Sequence, residues 1–263
     1  MTKQQLIDKM LAEKNAKLEY EGKSKTLYGL PNGNLIMVFG DNFTGNPDGT
    51  EDPGANHNVG KKDGLGHKNL EVCSLIYSAL ESELKIPTQN VAVDLALDFV
   101  EVKNAGTVGK GFKFKAGGKD YTAFGFEFIA RNKAWGSFLS RFPKAKEGDS
   151  LLDKNGNPFV EVSTKHDDAE DPFFTREEYI KSGIVTAAHY DTAIDYTTRI
   201  TKFLTEFFAK RDIELIDIKM EYGVDTAGNL LLIDEISPGS LRAKIGGKLA
   251  SKEEIYKALV QSA

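Results

Sequence analysis

Residues 217–242 read DIKMEYGVDTAGNLLLIDEISPGSLR, and this stretch predicts a β-hairpin with one charged face. In residues 216–222 the even positions are all apolar and the odd positions are all charged. Alternation with a period of two is the pattern of a strand that packs on one face. Residues 224–229 are turn formers, and residues 230–233 have the composition of a return strand. The charged face of the hairpin is therefore either functional or solvated.

The register of this hairpin decides which acids meet on the charged face. A turn centred in the middle of the loop places Lys219 opposite Asp234, with Glu221 on the diagonal to Asp234. Diagonal neighbours lie roughly 7–8 Å apart, close enough for two carboxylates to share a divalent cation. A slip of one residue would turn Asp234 away and bring Glu235 to this face. A solvated face with a Lys219–Asp234 pair is the alternative, and the spacing alone leaves both open.

The composition of the chain is that of a globular protein and leaves local basic clusters for small anions possible. It has 263 residues, of which 40% are hydrophobic and 28% charged, as in an ordinary globular protein. A net charge of −5 gives no electrostatic case for a nucleic-acid or membrane partner. A charged N-terminus without an apolar core, and the lack of a long apolar run, predict a cytoplasmic protein. The oligomeric state stays open, with a homo-oligomer among the alternatives.

Turn and periodicity signals predict an α+β fold in two lobes. Residues 1–130 would form an N-terminal lobe with an antiparallel sheet and a candidate phosphate-contacting hairpin, and residues 131–263 a lobe with helices and the candidate metal-binding hairpin. The strands before residue 131 are predicted at residues 24–30, 34–39, 91–93, 98–103, 111–115 and 121–130. Helices are predicted at the N-terminus, at residues 69–83, where the single cysteine, Cys73, would be buried, and around residues 200–208.

Three further polar segments are candidates for chemistry. In YEGKSKTLY (20–28), Gly22 lets backbone amides approach an anion while Lys23 or Lys25 supplies a point charge, although lysines on a strand are usually solvated. In FIARNKAWGSFLSRF (128–142), Arg131 offers a fork for phosphate or carboxylate and Ser137 lies near a predicted helix start. The alternative there is a helix cap and a surface arginine. TKHDDAEDPFF (164–174) is an acidic loop that is either solvated or able to order a basic substrate or a metal.

In this order, these segments resemble the SAICAR synthetase family, the phosphoribosylaminoimidazole-succinocarboxamide synthases. The matching stretches are EGKSKTLY (21–28), GDN (40–42), ARNKAWGS (130–137), residues 165–172, IDIKMEYG (216–223), and DEISP (234–238) with Arg242. The resemblance implies a two-lobed, ATP-grasp-like or kinase-like fold with antiparallel sheets and ATP in the cleft between the lobes. It also implies ATP- and Mg-dependent ligation, in which a carboxylated aminoimidazole ribonucleotide is phosphorylated and then captured by the amine of aspartate.

The resemblance also implies roles for individual residues. Glu221 and Asp234 match magnesium-binding acids, and Lys23 and Lys25 match contacts to the nucleotide phosphates. The implied catalytic residues are Lys219, Arg131 and Asp171. The implied substrate-binding residues are Asp41, Arg131, Ser137, Lys165, Lys219, Ser240 and Arg242. No protein nucleophile is needed, since the site supplies positioning and charge neutralisation.

The chain departs from the family pattern in two places. After DEISP the family usually continues with an acid, small polar residues and Arg-Leu-Trp-Asp, whereas here Gly239 replaces the acid and Arg242 is followed by AKIG (243–246). A carboxylate and an aromatic wall are therefore missing near the implied substrate. The loop within residues 43–69 also differs from the short basic loop of the family, and only Asn69 remains of its paired asparagines.

These departures keep two other interpretations open. One is a divergent ligase of the same fold that uses another carboxylate or amine. The other is a nucleotide-binding regulatory module without turnover, against which the retention of both Glu221 and Asp234 argues. The four histidines, at positions 57, 67, 166 and 189, lack metal-ligand spacing and are expected to be non-catalytic.

Overall fold

The computed structural model describes residues 1–45 and 57–261, in which helices are interspersed among runs of strands. The α-helices in this part of the chain are α1 (Lys3–Glu13), α2 (Leu65–Ala79), α3 (Ser137–Arg141), α4 (Arg176–Lys181), α5 (Ala187–Ala209) and α6 (Lys252–Tyr256). The first strands are β1 (Lys17–Glu21), β2 (Lys25–Gly29), β3 (Leu35–Phe39), β4 (Asn42–Gly45), β5 (His57–Lys61), β6 (Asn90–Asp94), β7 (Phe99–Val102) and β8 (Gly106–Thr107). The later strands are β9 (Lys113–Ala116), β10 (Lys119–Thr122), β11 (Gly125–Arg131), β12 (Phe159–Lys165), β13 (Ile213–Val224), β14 (Leu230–Ile233), β15 (Leu241–Ile245) and β16 (Lys248–Leu249).

A five-stranded antiparallel sheet forms the first layer, with the strand order β1-β2-β3-β7-β6. Its central strand, β3, packs Met37 and Phe39 with Leu70 of α2 in a small apolar cluster. Its other face packs Ile36 against Ile7 and Leu11 of α1. Helices on both faces therefore hold the hairpin β2-β3 in place.

A seven-stranded sheet forms the second layer and has β13 at its centre. The order is β12-β11-β13-β15-β16, and β14 and β8 pair with the C-terminal half of β13. The even residues of β13, from Ile216 to Tyr222, are at most 1% exposed, and Ile218, Met220 and Tyr222 belong to the main core. Helix α5 packs on this face through Ile200, Leu204 and Phe208, which lie at the predicted helical spacing.

The two sheets divide the chain between β7 and β8. Strand β11 ends at Arg131 and belongs to the larger sheet, so the smaller sheet uses only residues up to Val102. The two-lobed division at residue 130 stays a prediction.

Most predicted elements are present with shifted ends. Helix α2 begins at Leu65, before the predicted start at residue 69, and continues into a π-helical turn at Leu80–Leu84. The strand predicted at residues 121–130 is two strands, β10 and β11, because the chain leaves the small β9-β10 hairpin at residue 123 and enters the larger sheet. None of the described helices has the length and apolar character that a membrane span requires. Residues 46–56 of the altered loop lie outside the described residues.

The hairpin β13-β14 is present, but the predicted register is wrong. Glu221 pairs with Ile233 and Val224 with Leu230, so the strands are offset by one residue from the prediction. Pairing ends at Ile233, and Asp234 takes a left-handed φ of 64°. The charged face is not solvated, because Asp217 and Glu221 are each 6% exposed. Lys219 pairs with Glu127 of β11 and not with Asp234, so the predicted cross-strand pair does not form.

Cys73 is 3% exposed in α2, as predicted, and we expect it to be unreactive in the native protein. Burial raises the pKa of its thiol above the ordinary value, and the charge of Glu235 raises it further. The thiolate is the reactive form, so alkylation by iodoacetamide should be at least about 100-fold slower in native protein than in urea. The matched control is Cys73→Ser/Ser78→Cys, which moves the single thiol to an exposed position on the same helix. Equal labelling rates for the wild type and this control would contradict the prediction.

Candidate active site

A cavity of about 210 Å³ lies where the two sheets meet. The small sheet contributes the turn between β1 and β2, and the large sheet contributes the ends of β12, β13 and β14. The polar residues lining it are Tyr20, Lys23, Ser24, Lys25, Asn42, Asn69, Lys165, Lys219, Glu221, Asp234, Glu235, Ser240 and Lys252. Seven residues to which the resemblance gives a site role are thus brought together: Lys23, Lys25, Lys165, Lys219, Glu221, Asp234 and Ser240.

Lys25 joins the two sheets at this cavity. Its Nζ lies 2.6 Å from Asp234 Oδ1 and 2.7 Å from Glu235 Oε1. Burial would lower the pKa of Lys25, but the two carboxylates outweigh it and raise the pKa above its ordinary value. Burial likewise opposes ionisation of Asp234, but the charges of Lys25 and Lys165 lower its pKa. Lys25 and Asp234 are therefore both charged at neutral pH.

The backbone at Asp234 explains why two successive acids reach the same cavity. In a regular strand Asp234 and Glu235 would point to opposite faces. The left-handed conformation of Asp234 breaks this alternation. Tyr77 of α2 and Gln89 hold the bend, since the Tyr77 hydroxyl and Gln89 Nε2 donate to the Asp234 carbonyl at 3.2 Å and 2.9 Å. Alternation in the sequence makes Asp234 and Glu235 alternatives for the charged face, whereas both line the cavity.

The charged face of β13 is compensated by neighbouring strands. Lys165, at the end of β12, forms an ion pair with Glu221, and Lys219 Nζ lies 2.7 Å from Glu127 Oε1. Burial raises the pKa of Glu221, and Lys165 opposes this rise without cancelling it. Burial would lower the pKa of Lys219, but Glu127 outweighs it and the pKa is raised. Lysines and carboxylates thus alternate across the cavity wall.

Two buried oxygens at the cavity have no partner within the part of the chain that the structure describes. They are Glu235 Oε2 and Asn69 Oδ1, on residues that are 8% and 5% exposed. An unpaired buried oxygen is costly unless a ligand satisfies it. Among the described residues no cluster of three or more His, Cys, Asp and Glu side chains is arranged to hold a metal alone. The donors fit Mg²⁺, which binds through one or two carboxylates together with substrate phosphates.

A second charged group surrounds Asp217, outside the residues that line the cavity. Asp217 Oδ2 accepts from Arg131 Nη1 at 2.8 Å and from Arg242 Nη1 at 3.1 Å. Arg131 Nη2 also donates to Ser137 Oγ at 3.1 Å, and Arg131 Nε donates to Glu161 at 2.8 Å. Gly136, with a φ of +54°, lies against the Arg242 guanidinium. Helix α3 starts at Ser137 as predicted, but it has only five residues, so Ser137 contributes through its hydroxyl.

The remaining predicted site residues hold loops in place. Asp41 Oδ1 accepts from the Gly66 amide at 2.9 Å, at the start of α2. Asp171 Oδ1 accepts from the His166 amide at 2.6 Å, and closes the acidic loop after β12. Asp167 of this loop reaches across to Lys23, with 2.6 Å between Oδ2 and Nζ. His166, His67 and His189 do not line the cavity.

Two charged residues at the site were missed in the sequence. Glu127 is the single acid in the apolar strand β11. Its position among apolar residues could have identified it from the sequence as a candidate site residue. Lys252 is 5% exposed at the start of α6, with its Nζ 5.9 Å from the Phe43 ring centroid. Nothing in the neighbouring sequence marks it, because its place depends on how α6 packs on the sheets.

An α+β protein with a lysine-lined cavity, paired acids and unpaired oxygens is of the class that binds phosphorylated ligands. The chain belongs to the SAICAR synthetase family, whose model matches residues 18–254. A relative named phosphoribosylaminoimidazole-succinocarboxamide synthase, from Clostridium tetani (strain Massachusetts / E88), is 34% identical over 244 residues, which cover 92% of this chain and 98% of the relative. The resemblance read from the sequence is confirmed.

Solved structures of the family share the fold. The structure "SAICAR synthetase (Type-2) in complex with ADP" superposes with a TM-score of 0.75 at 24% identity, covering 93% of this chain and 98% of the other. Phosphoribosylaminoimidazole-succinocarboxamide synthase from Ehrlichia chaffeensis gives a TM-score of 0.74 at 22% identity, covering 94% and 97%. The predicted α+β fold with antiparallel sheets is therefore confirmed.

The position of Gly136 predicts a large cost for a single added methyl group. A Cβ there would overlap the Arg242 guanidinium, and the positive φ would be strained. We expect Gly136→Ala to lower the free energy of unfolding by about 2–3 kcal/mol. Gly156→Ala is the matched control, because Gly156 also has a positive φ but open space around it, so its cost should be about 1 kcal/mol. Urea unfolding of both variants measures the difference, and equal losses would contradict the contact with Arg242.

Proposed function

We propose that this protein is an ATP- and Mg-dependent carbon–nitrogen ligase that joins aspartate to a carboxylated aminoimidazole ribonucleotide, a step of purine synthesis in the cytoplasm. Membership of the family and the name of the Clostridium tetani relative support this activity. The observation that carries the proposal is the meeting of Lys25, Glu221 and Asp234 in one cavity. Such a cavity suits a triphosphate and its cation.

The reaction proceeds by two displacements. The substrate carboxylate attacks the γ-phosphorus of ATP, which releases ADP and forms an acyl phosphate. The aspartate amine then attacks the acyl carbon, an amide bond forms, and inorganic phosphate leaves with the bonding electron pair while the amine loses a proton to solvent. Both steps require that water be kept from the acyl phosphate.

The cavity residues position the reactants and balance charge. Lys23 and Lys25 contact the nucleotide phosphates as point charges. Glu221 and Asp234 would hold Mg²⁺, and the unpaired Glu235 Oε2 and Asn69 Oδ1 offer further oxygen donors. When bound, Mg²⁺ neutralises charge on the transferred phosphoryl group.

The ribonucleotide and the amino acid take the other residues. Arg131, Ser137 and Arg242 bind an anionic group of the ribonucleotide beside Asp217. Lys219 and Lys165 hold the reacting carboxylate near the phosphates. Ser240 and Asp41 complete the substrate-binding set, and Asp171 supports catalysis by fixing the loop after β12, as Asp41 fixes the start of α2.

One observation favours a second candidate, a ligase of the same fold with another carboxylate or amine. The family usually has an acid at the position of Gly239, which lines the cavity here. A side chain at Gly239 would start beside Ser237 Oγ and Asn69 Nδ2, at 3.3 Å and 3.7 Å. A carboxylate is therefore absent from the wall that also carries Asn69 and Lys252. Without this carboxylate, the wall suits a substrate group that is more anionic, or less basic, than the group that the acid of the family would face.

The reaction is tested by ADP formation over a panel of carboxylates and amines, with products identified by mass. We expect ADP release only when the aminoimidazole carboxylate and aspartate are both present, because an acyl phosphate is productive only with an amine in place. Omission of either substrate is the control. Turnover with a different pair would select the divergent ligase, and ATP binding without turnover on any pair would select the regulatory module.

The metal role of the paired acids is tested by calorimetry. Without Mg²⁺ the carboxylates face the triphosphate as uncompensated charge, so we expect ATP to bind at least about 10-fold more weakly without the cation. Asp234→Asn should lower kcat about 10²- to 10³-fold. Asp225→Asn, in the exposed turn of the same hairpin, should leave kcat unchanged. Equal ATP affinity with and without Mg²⁺ would remove Glu221 and Asp234 from the metal role.

A further inference from the structure

Trp135 and Lys244 form a contact next to the arginines around Asp217. Lys244 Nζ lies 4.9 Å from the centre of the Trp135 ring, a cation–π geometry. Both residues are half-buried, and Gly136 and Ser137, which follow Trp135, are exposed. Among residues 1–45 and 57–261, the Lys244 ammonium group makes no ion pair with a carboxylate. A cation with this single contact has donors to offer to a ligand.

Both residues are tied to the same arginines. Lys244 and Arg242 are two positions apart on β15, so they share a face and lie about 7 Å apart along the strand. Arg131 Nη1 donates to the Trp135 carbonyl at 3.4 Å, and Arg131 Nη2 to Ser137 Oγ. The indole and the ammonium group therefore lie beside the Arg131 and Arg242 pair.

The local charge favours an anion. Asp217 is shared by Arg131 and Arg242, and Glu161 is shared by Arg131 and Arg141. Opposite Lys244 on β13 stands a glutamate, Glu214, whose carboxylate pairs with Lys133 at 2.7 Å. Among the described residues of these pairs the cations outnumber the carboxylates, and Lys244 provides part of the excess.

The pair also accounts for one departure from the family pattern. The aromatic residue of the Arg-Leu-Trp-Asp stretch would stand at position 244, where this chain has lysine. The ring of Trp135, the only tryptophan of the chain, stands against position 244 from the β11–α3 connection. The aromatic ring is therefore supplied from the β11–α3 connection, and position 244 carries a positive charge instead.

We propose that Lys244 is a further specificity-determining residue that binds the phosphate monoester of the ribonucleotide together with Arg131, Ser137 and Arg242, with Trp135 as the wall of this subsite. The proposal rests on the proposed function in taking the anion to be a ribonucleotide phosphate. A dianionic phosphate monoester accepts more hydrogen bonds than a carboxylate. Its oxygens suit two guanidinium groups, the Ser137 hydroxyl and the Lys244 ammonium group as donors. Lys244 thereby favours phosphorylated substrates over their nucleosides.

The single tryptophan makes the test direct, since its fluorescence reports on this subsite alone. Ribose 5-phosphate is titrated into the protein without ATP, with ribose and aspartate as parallel ligands. We expect only ribose 5-phosphate to change the Trp135 emission. Lys244→Met keeps most of the side-chain stem and removes the charge, and should weaken this binding about 5- to 10-fold. Lys115→Met, which removes an exposed charge on β9, is the control and should bind as the wild type does.

Three outcomes would overturn the proposal. They are an unchanged emission with ribose 5-phosphate, an unchanged affinity in Lys244→Met, and a response to aspartate in place of ribose 5-phosphate. The assay uses neither ATP nor turnover, so its result is separate from that of the ADP panel. Ribose 5-phosphate binding that depends on Lys244, without ligation of any amine, would reject the proposed function and retain this subsite.

Discussion

The burial of the charged face of β13 is the constraint on which the rest of the site depends. Asp217, Lys219 and Glu221 lie on the face opposite the core residues of the same strand, and a buried charge without a partner costs several kcal/mol. Each therefore has a counter-charge from another element: Arg131 and Arg242 for Asp217, Glu127 for Lys219, and Lys165 for Glu221. The ligand-binding elements of the fold are thus positioned by the electrostatics of one strand.

This compensation also shapes how ligands bind. Four of the cavity lysines, Lys23, Lys25, Lys165 and Lys219, already have carboxylate partners. An incoming phosphate replaces these carboxylates, so the free energy of binding gains only the difference between the two contacts. Glu235 Oε2 and Asn69 Oδ1 differ from the other polar atoms, because within the described residues they have no partner to exchange. Ligand contacts to these two oxygens are therefore gained without the loss of an internal one.

The faces of β13 and the family of the protein could be predicted from the sequence. Alternation in residues 216–222 fixes the faces of β13, and short motifs at the ends of strands identify the family. The register of the hairpin could not be read, since it depends on the turn and on the left-handed Asp234, which alternation does not encode. Lys252 and the contact between Trp135 and Lys244 depend on packing between distant segments, and no local pattern reveals them.

The two ion pairs that cross the cavity differ in how strongly they hold it together. Lys25 is buried between Asp234 and Glu235, whereas Lys23 and Asp167 are 43% and 51% exposed. An exposed ion pair contributes only about 0.2–1 kcal/mol to stability, which is comparable to thermal energy. The Lys23–Asp167 pair therefore separates at small cost, whereas Lys25 leaves its two carboxylates only when a ligand replaces them.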